Sequence, residues 1–224
     1  MILSIETATP ICSLAIHNEG SVLCETNFFL NKSHSSVILP SLKQMVESVE
    51  VDLTELKAIA VSSGPGSYTG LRIGTSAAKG LAYSISVPLI SVSTLHSMVL
   101  NAQDIIGHKG IFCPMMDARR MEVYHMIFKG HSITVGEVPK IISEEAFNEF
   151  ISDEFYYFGD GADKCKSIFS GRNNMHYLGG IRPSAKWSGI LAWDKYQKNN
   201  FEDLAYFEPD YLKEFQTKPS KKLL

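Results

Sequence analysis

The stretch Gly64-Pro65-Gly66-Ser67-Tyr68-Thr69-Gly70-Leu71-Arg72-Ile73-Gly74 decides the fold, because the hydrophobic pattern changes there from strand to helix. An apolar run at residues 58–61 precedes it, and a helix-like run at residues 75–84 follows. A glycine-rich turn between a strand and a helix aims backbone N–H groups and a helix N-terminus at one point. The stretch therefore predicts an anion or nucleotide contact, which would be formed by Gly64, Pro65, Gly66 and Ser67.

The helix after this turn carries unusually small side chains, namely Gly70, Gly74, Ser76, Ala77, Ala78, Gly80 and Ala82. We expect so thin a helix to be approached closely by a phosphate, by the protein's own sheet or by a partner. The stretch lacks the G-K-[ST] ending of a P-loop. A tight turn beside a closely packed partner helix is therefore the favoured interpretation, and anion binding is the minor one.

Composition and length indicate an ordinary globular protein of one domain or two small lobes, with 224 residues and 45% hydrophobic side chains. The net charge of −3 argues against an autonomous nucleic-acid-binding protein, which usually carries a basic surplus. Three lysines cluster near the C-terminus, at Lys218, Lys221 and Lys222. A solvated tail is the favoured interpretation of that cluster.

Cysteines and apolar runs exclude several other classes. The four cysteines form no C-x-x-C pair, which argues against a zinc site or a redox motif. The N-terminus reaches Glu6 too early for a signal peptide, and no apolar run approaches the roughly 20 residues of a membrane span. We therefore expect a cytoplasmic protein without a membrane segment.

Hydrophobic patterning predicts a three-stranded meander at the start of the chain, at residues 2–5, 11–17 and 22–29. The next predicted elements are a helix at 33–50, a strand at 58–62, the glycine-rich turn with its helix, a strand at 87–92 and a helix at 94–106. The first half therefore has the order βββαβαβα.

The helix predicted at residues 33–50 has an apolar surface wider than packing on one sheet requires. Its main stripe is Ile38, Leu42, Met45 and Val49, and Leu39 and Val46 form a second stripe. Ser33 is expected to cap it. Pro40 lies inside the run, and a mid-helix proline costs roughly 3 kcal/mol, which predicts a kink near Ser36.

The second half repeats this order without sequence identity. It shows strands at 110–117, 122–129, 132–139, 155–158 and 173–178, and helices that begin at 143, 162 and 183. Two βββαβα lobes are typical of the α/β actin-like, sugar-kinase-like (ASKHA) fold. We place the lobes at residues 1–106 and 107–224, and expect the last residues to pack back on the first lobe.

Two acids, Glu6 and Asp117, end the first strand of each half, where this fold holds acids near nucleotide phosphates or a metal. Neither acid is followed by glycine, so turn capping is the favoured interpretation of both. Arg72 could meet an anion or a partner carboxylate, or could be an ordinary surface arginine. The seven histidines show no metal-ligand spacing, and no G-x-S-x-G elbow is present.

Several segments together resemble the TsaB (YeaZ) family. They are Leu3-Ser4-Ile5-Glu6-Thr7-Ala8-Thr9, His34-Ser35, the glycine-rich stretch, Val92-Ser93-Thr94-Leu95, Asp117-Ala118-Arg119-Arg120-Met121-Glu122-Val123-Tyr124 and residues 211–218. The resemblance is dense over residues 1–128 and thinner beyond. It implies an actin-like fold and a non-catalytic, cytoplasmic subunit with no metal and no tightly bound cofactor.

The resemblance also implies partners. Members of the family pair with the paralogous TsaD, which carries the metal and transfers threonylcarbamoyl to an adenosine beside the anticodon of certain tRNAs. A small ATPase, TsaE, binds the pair, so tRNA is reached indirectly through the complex. Self-association is expected when the chain is alone, and ATP or ADP is expected only at the complex interface.

In the family, the two helices after the third and fourth strands form the dimer face, here roughly residues 33–50 and 69–84. The residues expected to bind the partner are His34, Leu39, Leu42, Val46, Gly70, Leu71, Arg72, Gly74 and Ala78. Two departures are Ser36, where the family usually has an acid, and Glu6, where it usually has Asp. Thr94 and Met98 stand where the paralogue has its metal histidines, and neither suits a hard divalent ion.

Two rival hypotheses remain open from the sequence. The first is an actin-like ATPase or small-molecule phosphotransferase that acts alone, for which Glu6 and Asp117 are the support. The second is a peptidase, for which the sequence offers no nucleophile paired with a base.

Overall fold

The computed structural model describes residues 1–29 and 34–212. Its framework is a pair of five-stranded mixed sheets. The expected helix cap at Ser33, the lysines at 218, 221 and 222, and most of the C-terminal segment that resembles the family lie outside the described residues.

The first sheet is built from β1 (Ile2–Glu6), β2 (Ile11–Asn18), β3 (Ser21–Phe29), β4 (Ala58–Gly64) and β5 (Leu89–Ser93). Their order is β3-β2-β1-β4-β5. The first three strands are antiparallel neighbours, and β4 and β5 run parallel to β1. The predicted meander and the two parallel strands after it are confirmed.

The second sheet repeats this arrangement with β6 (Ile111–Asp117), β7 (Glu122–Lys129), β8 (Ser132–Ile141), β9 (Phe155–Phe158) and β10 (Met175–Leu178). Its order, β8-β7-β6-β9-β10, matches the first sheet strand for strand. Here β6–β8 are antiparallel, and β9 and β10 run parallel to β6. The duplication predicted from element order is confirmed at the level of strand pairing.

The α-helices are α1 (Ile38–Ser48), α2 (Tyr68–Ser84), α3 (Thr94–Ile106), α4 (Lys166–Phe169) and α5 (Ala185–Gln197). Helices α1 and α2 cover the face of the first sheet that carries Leu3 and Ile5. Helix α5 covers the opposite face, against Ile2 and Ala60. Helix α3 contacts both sheets and closes a shared core with residues such as Phe112.

The predicted mid-helix position of Pro40 is wrong. Helix α1 begins at Ile38, so Pro40 lies in its first turn, where a backbone N–H would have no helical acceptor. A separate 3₁₀ turn at His34–Ser36 precedes the helix. The proline therefore helps to begin α1, and the reason for a kink near Ser36 is absent.

The α-helix predicted to begin at residue 143 is also wrong, because the segment forms turns and a short 3₁₀ helix at Asn148–Phe150. Phe147 interrupts it with a φ of 64°, in the left-handed region. Its ring is 1% exposed and packs against Phe155, Phe169 and His125. Burial of one aromatic ring thus outweighs the helix preference of the preceding residues.

Helix α5 follows the second sheet in the chain but packs on the first sheet. Its buried side is made of Ala185, Ser188, Gly189 and Ala192. A Cβ at Gly189 would overlap the ring of His17, so the glycine allows the helix to lie directly on β2. The amide of Ala185 donates to the Ser13 hydroxyl at 2.8 Å. The lobe boundaries themselves stay a prediction.

Candidate functional site

The glycine-rich turn and α2 enclose the turn between β1 and β2. A Cβ at Gly66 would lie 2.5 Å from the carbonyl oxygen of Ala8, and Cβ atoms at Gly70 and Gly74 would overlap oxygens of Thr7. Real Cβ atoms do not approach other atoms so closely. Of the three groups that could approach this thin helix, the structure shows the protein's own first hairpin.

The loop at residues 64–67 packs against the chain itself, with Gly64 and Pro65 buried and Ser67 exposed. The Ser67 amide donates to the Ala8 carbonyl at 2.7 Å, and the Ser67 hydroxyl caps α2 by accepting from the Gly70 amide at 3.2 Å. Gly64 has a φ of 116°, and Asp210 lies against it with its amide donating to the Ser63 carbonyl. Pro65 is buried and has no N–H. These contacts give each of the four loop residues a structural role. Anion binding by the loop stays a prediction.

Glu6 is fully buried beneath this turn. Its Oε1 accepts from the Ala8 amide at 2.7 Å, whereas its Oε2 has no partner. Desolvation raises the pKa of this carboxyl from 4.5 to about 7, since the hydrogen bonds only partly offset the loss of water. A carboxyl with this pKa is only about half ionised at neutral pH. Glu6 is also shielded from the solvent from which a metal ion or a magnesium–phosphate group would approach.

Asp117, its counterpart in the second sheet, has a different environment. Its exposed carboxylate forms an ion pair with Lys164, and its Oδ1 accepts from the Arg119 amide at 3.1 Å. Asp117 and Glu6 thus have separate sets of partners. No group of three or more His, Cys, Asp or Glu side chains that could hold a metal occurs within residues 1–29 and 34–212.

The outer side of α1 and α2 forms an open groove of about 370 Å³. We call it the α1–α2 groove; its lining residues are Ser35, Ile38, Leu39, Arg72, Ile73, Ser76 and Ala77. Most of this lining is apolar, and the Leu39 side chain is 57% exposed. Farther along α2, Tyr83 is 78% exposed. The two helices therefore enclose a shallow, mostly apolar groove.

The structure divides the residues expected to bind a partner into two groups. Leu39 and Arg72 line the groove, and Val46 is half-buried beside the core. The other six are buried in the protein itself: His34, Leu42, Gly70, Leu71, Gly74 and Ala78. The sequence analysis missed Ile73 and Ala77. The spacing of one helical turn after Arg72 could have located Ser76, because residues four apart share a helix face.

His34 is buried and supports the groove from below. Its Nε2–H donates to the Thr9 carbonyl at 2.9 Å, which ties the start of α1 to the first hairpin. Its place in the sequence next to Ser35, which lines the groove, explains why it resembled an interface residue.

The residues after α5 return to α2; we call 202–211 the C-terminal strap. The Arg72 guanidinium lies 4.1 Å from the Tyr68 ring centre and 5.9 Å from that of Tyr211, and its Nε–H donates to the Tyr211 hydroxyl at 3.4 Å. About two turns later, Lys79 donates to the carbonyls of Ala205 and Phe207 at 3.0 and 3.1 Å. The strap therefore holds α2 along its length.

Comparison with known proteins follows this geometry. A family model described as TsaD, tRNA N6-adenosine threonylcarbamoyltransferase, matches residues 29–218. The chain is 35% identical over 169 residues to the tRNA threonylcarbamoyladenosine biosynthesis protein TsaB of Escherichia coli (strain K12), covering 71% of each protein. The chain belongs to the TsaB (YeaZ) family. The match to the TsaB protein of Bacillus subtilis (strain 168), 34% over 128 residues, covers 57% of this chain and 55% of that one.

The TsaB-family fold is also found among solved structures. YeaZ from Pseudomonas aeruginosa superposes with a TM-score of 0.78 at 23% identity, covering 94% of this chain and 99% of that one. An inorganic polyphosphate/ATP-glucomannokinase from Arthrobacter sp. strain KM reaches 0.52 at 11% identity, covering 88% and 98%. The predicted actin-like, sugar-kinase-like fold is confirmed.

Two further observations bear on this TsaB-family chain. Thr94 and Met98, the positions of the metal histidines in the paralogue, are fully buried. Ser36, where the family usually has an acid, is exposed in the 3₁₀ turn before α1.

No helix in the described part of the chain has the length and apolarity needed to cross a membrane.

Proposed function

We propose that this chain takes part in tRNA threonylcarbamoyladenosine biosynthesis as a non-catalytic subunit that binds TsaD through the α1–α2 groove. The observation that carries the proposal is the open, mostly apolar groove on the outer side of these two helices. The relatives named TsaB and the match to a TsaD family model support the choice of pathway and partner. TsaE would join this pair, and tRNA would be reached through it.

Packing inside the protein explains why the outer side of α2 is the available one. The inner side is already filled by Thr7 and the first sheet, because Gly70 and Gly74 allow no further approach there. A pair of helices from a partner, packed over the groove, would bury an area on the order of 1,600 Å², the usual size of a specific interface. When TsaD is absent, a second copy of this chain would occupy the same surface.

A catalytic role in the chain by itself has little support. Glu6 is buried with a pKa raised by desolvation, and the carboxylate of Asp117 is paired with Lys164. Ring nitrogens of His17, His34 and His125 are hydrogen-bonded to backbone carbonyls and that of His176 to Glu154, contacts that lend no support to a peptidase mechanism. We place any ATP or ADP at the interface of the complex.

The test is assembly with the TsaD of the same organism, measured by sedimentation of the mixed proteins. The double variant Leu39→Asp/Ala77→Trp puts a charge and a bulky ring into the groove, and should weaken assembly by at least about 100-fold. The control is Leu23→Asp on β3, a leucine that is 46% exposed and does not line the groove. Unchanged assembly of the double variant, with the control also unchanged, would reject the groove as the binding surface.

A further inference from the structure

The turn between β6 and β7 holds two consecutive arginines in an unfavourable conformation. Arg119 has a φ of 70° and Arg120 a φ of 49°, both in the left-handed region. Asn and Gly adopt this region more readily than other residues, for which a left-handed conformation costs roughly 1–2 kcal/mol. Folding alone would therefore favour Asn-Gly over Arg-Arg here.

Hydrogen bonds hold this turn in one geometry. The Ala118 amide donates to the Glu122 carbonyl at 3.1 Å, and the Glu122 amide donates to the Arg119 carbonyl at 3.2 Å. The Arg119 amide donates to the Asp117 carboxylate at 3.1 Å. These bonds fix the backbone of a turn that carries two exposed arginine side chains.

Three aspartates near the turn are engaged by groups other than its arginines. Asp117 is paired with Lys164, and Asp163 is paired with Lys166 at 3.2 Å and Arg182 at 3.0 Å. Burial raises the pKa of Asp160, which accepts from the Asp117 amide. Within the described residues, neither Arg119 nor Arg120 has an acidic partner. The tip therefore carries two unpaired positive charges in a chain whose net charge is −3.

We propose that the Arg119–Arg120 turn is a contact site for the phosphate backbone of RNA. A guanidinium group presents a planar set of donors that matches phosphate oxygens, and it keeps its charge at any physiological pH. Contacts of this kind position a nucleic acid without reading its sequence. The proposal rests on the proposed function, in which the RNA is a tRNA held on the complex. In that setting this chain contacts the tRNA directly through the turn, in addition to reaching it indirectly through the complex.

The decisive variant is Arg119→Asn/Arg120→Gly, because it should change folding and RNA binding in opposite directions. The thermal unfolding midpoint should rise, since both residues then suit the turn. Binding of a labelled tRNA transcript by the assembled complex should weaken about tenfold at low salt. The slope of log affinity against log salt should fall by about 1 to 2 in magnitude, the release expected for two phosphate contacts.

Two further proteins complete the experiment. Arg119→Lys/Arg120→Lys keeps both charges and should retain most of the salt slope. Lys109→Ala/Lys198→Ala removes two exposed lysines elsewhere and should leave RNA affinity within about twofold of the parent. A specific site requires that Lys109→Ala/Lys198→Ala lose less RNA affinity than Arg119→Asn/Arg120→Gly. Equal losses of affinity in these two variants would mean that only net charge matters, and would overturn the proposal.

Assembly with TsaD is measured on the same proteins. Intact assembly with weakened RNA binding supports the turn as an RNA contact. Weakened assembly with unchanged RNA affinity would assign the arginines to an acidic protein surface and overturn the RNA proposal, as would no change in either. If the parent chain does not assemble with TsaD, the proposed function fails, and titration of the full chain alone with the transcript at low salt still tests the turn.

Discussion

The first turns of the two sheets occupy equivalent places in a duplicated fold, yet they differ in almost every respect. The β1–β2 turn follows Glu6, which is buried, and the glycines of α2 pack against its residues Thr7 and Ala8. The β6–β7 turn follows Asp117, which is exposed, and ends in an open pair of arginines. One hairpin has become part of the core and the other has stayed on the surface.

The difference shows that one strand order can carry a buried turn in one sheet and an exposed turn in the other. In the first sheet, small residues on α2 let the helix pack directly on the hairpin. In the second sheet, no such helix follows β9, where only a short 3₁₀ turn and α4 are present. The four predictions below test this contrast, from the largest expected effect to the smallest.

Gly70→Ala should destabilise the protein most. The new Cβ would overlap the backbone carbonyl oxygen of Thr7, so either the hairpin or α2 has to move. We expect a loss of about 3 kcal/mol in the free energy of unfolding, measured with urea. Gly80→Ala is the matched control on the same helix, since nothing lies within 4 Å of its Cβ, and it should stabilise by about 0.5–1 kcal/mol. Equal effects at the two glycines would contradict the packing described here.

Glu6→Gln should change the pH dependence of stability. The pKa of Glu6 is raised from 4.5 to about 7 in the folded state, so the folded protein binds more protons than the unfolded chain between these values. Its contribution is fully present below pH 4.5 and is lost as the pH rises through about 7. The parent should therefore lose roughly 3 kcal/mol more than the glutamine variant between pH 4 and pH 8.

The comparison with Glu6→Gln isolates this effect from other groups. Burial lowers the pKa of His17, His96 and His125. Their contribution to the stability of the protein is therefore lost as the pH falls below the unfolded pKa of 6.5. They contribute equally to both proteins, so the difference between the two stability curves reports Glu6. Parallel curves for the parent and the variant would show that Glu6 ionises normally.

Ser67→Ala should cost about 1 kcal/mol, because it removes the hydroxyl that accepts from the Gly70 amide at the start of α2. Thr69→Ala is the control, since Thr69 is exposed in the same turn without a capping role. Chemical denaturation of both variants measures the effect. A loss at Thr69 that matches the loss at Ser67 would argue against the cap.

Asp117→Asn should have the smallest effect, less than about 1 kcal/mol, because its ion pair with Lys164 is partly exposed and screened by salt. Asparagine keeps an oxygen that can accept from the Arg119 amide. Unfolding at low and high salt should show the difference shrinking as salt is added. A loss of several kcal/mol would mean that the second turn is as much a part of the core as the first.

Much of the fold could be predicted from the sequence, because strand alternation and turn residues are local signals. The bounds of α3 and of both meanders followed directly from them. Pro40 was misplaced because the start of α1 depends on His34, whose anchor at Thr9 is distant in the chain. The helix expected at residue 143 failed for a similar reason, since Phe147 responds to a pocket made by other strands.

The candidate site was harder to predict than the fold. Small residues on α2 indicated a close approach, but their pattern does not say which neighbour makes it. The neighbour is Thr7, more than 60 residues away from Gly70 in the chain. Arg72 and Leu39 lie on the outer side, where periodicity alone could have placed Ser76 and Ala77 with them.

The C-terminal strap also has a consequence for the edge of the first sheet. Strand β5 is the outermost parallel strand, and an open edge of this kind can pair with other chains and seed aggregation. Glu202 bridges to Leu89 through its backbone, its carboxylate accepts from the Ser91 hydroxyl at 2.5 Å, and Lys195 donates to the Ser91 carbonyl. Helix α5 and the C-terminal strap thus shield the β5 edge, which makes this edge unavailable for pairing with the strand of another chain.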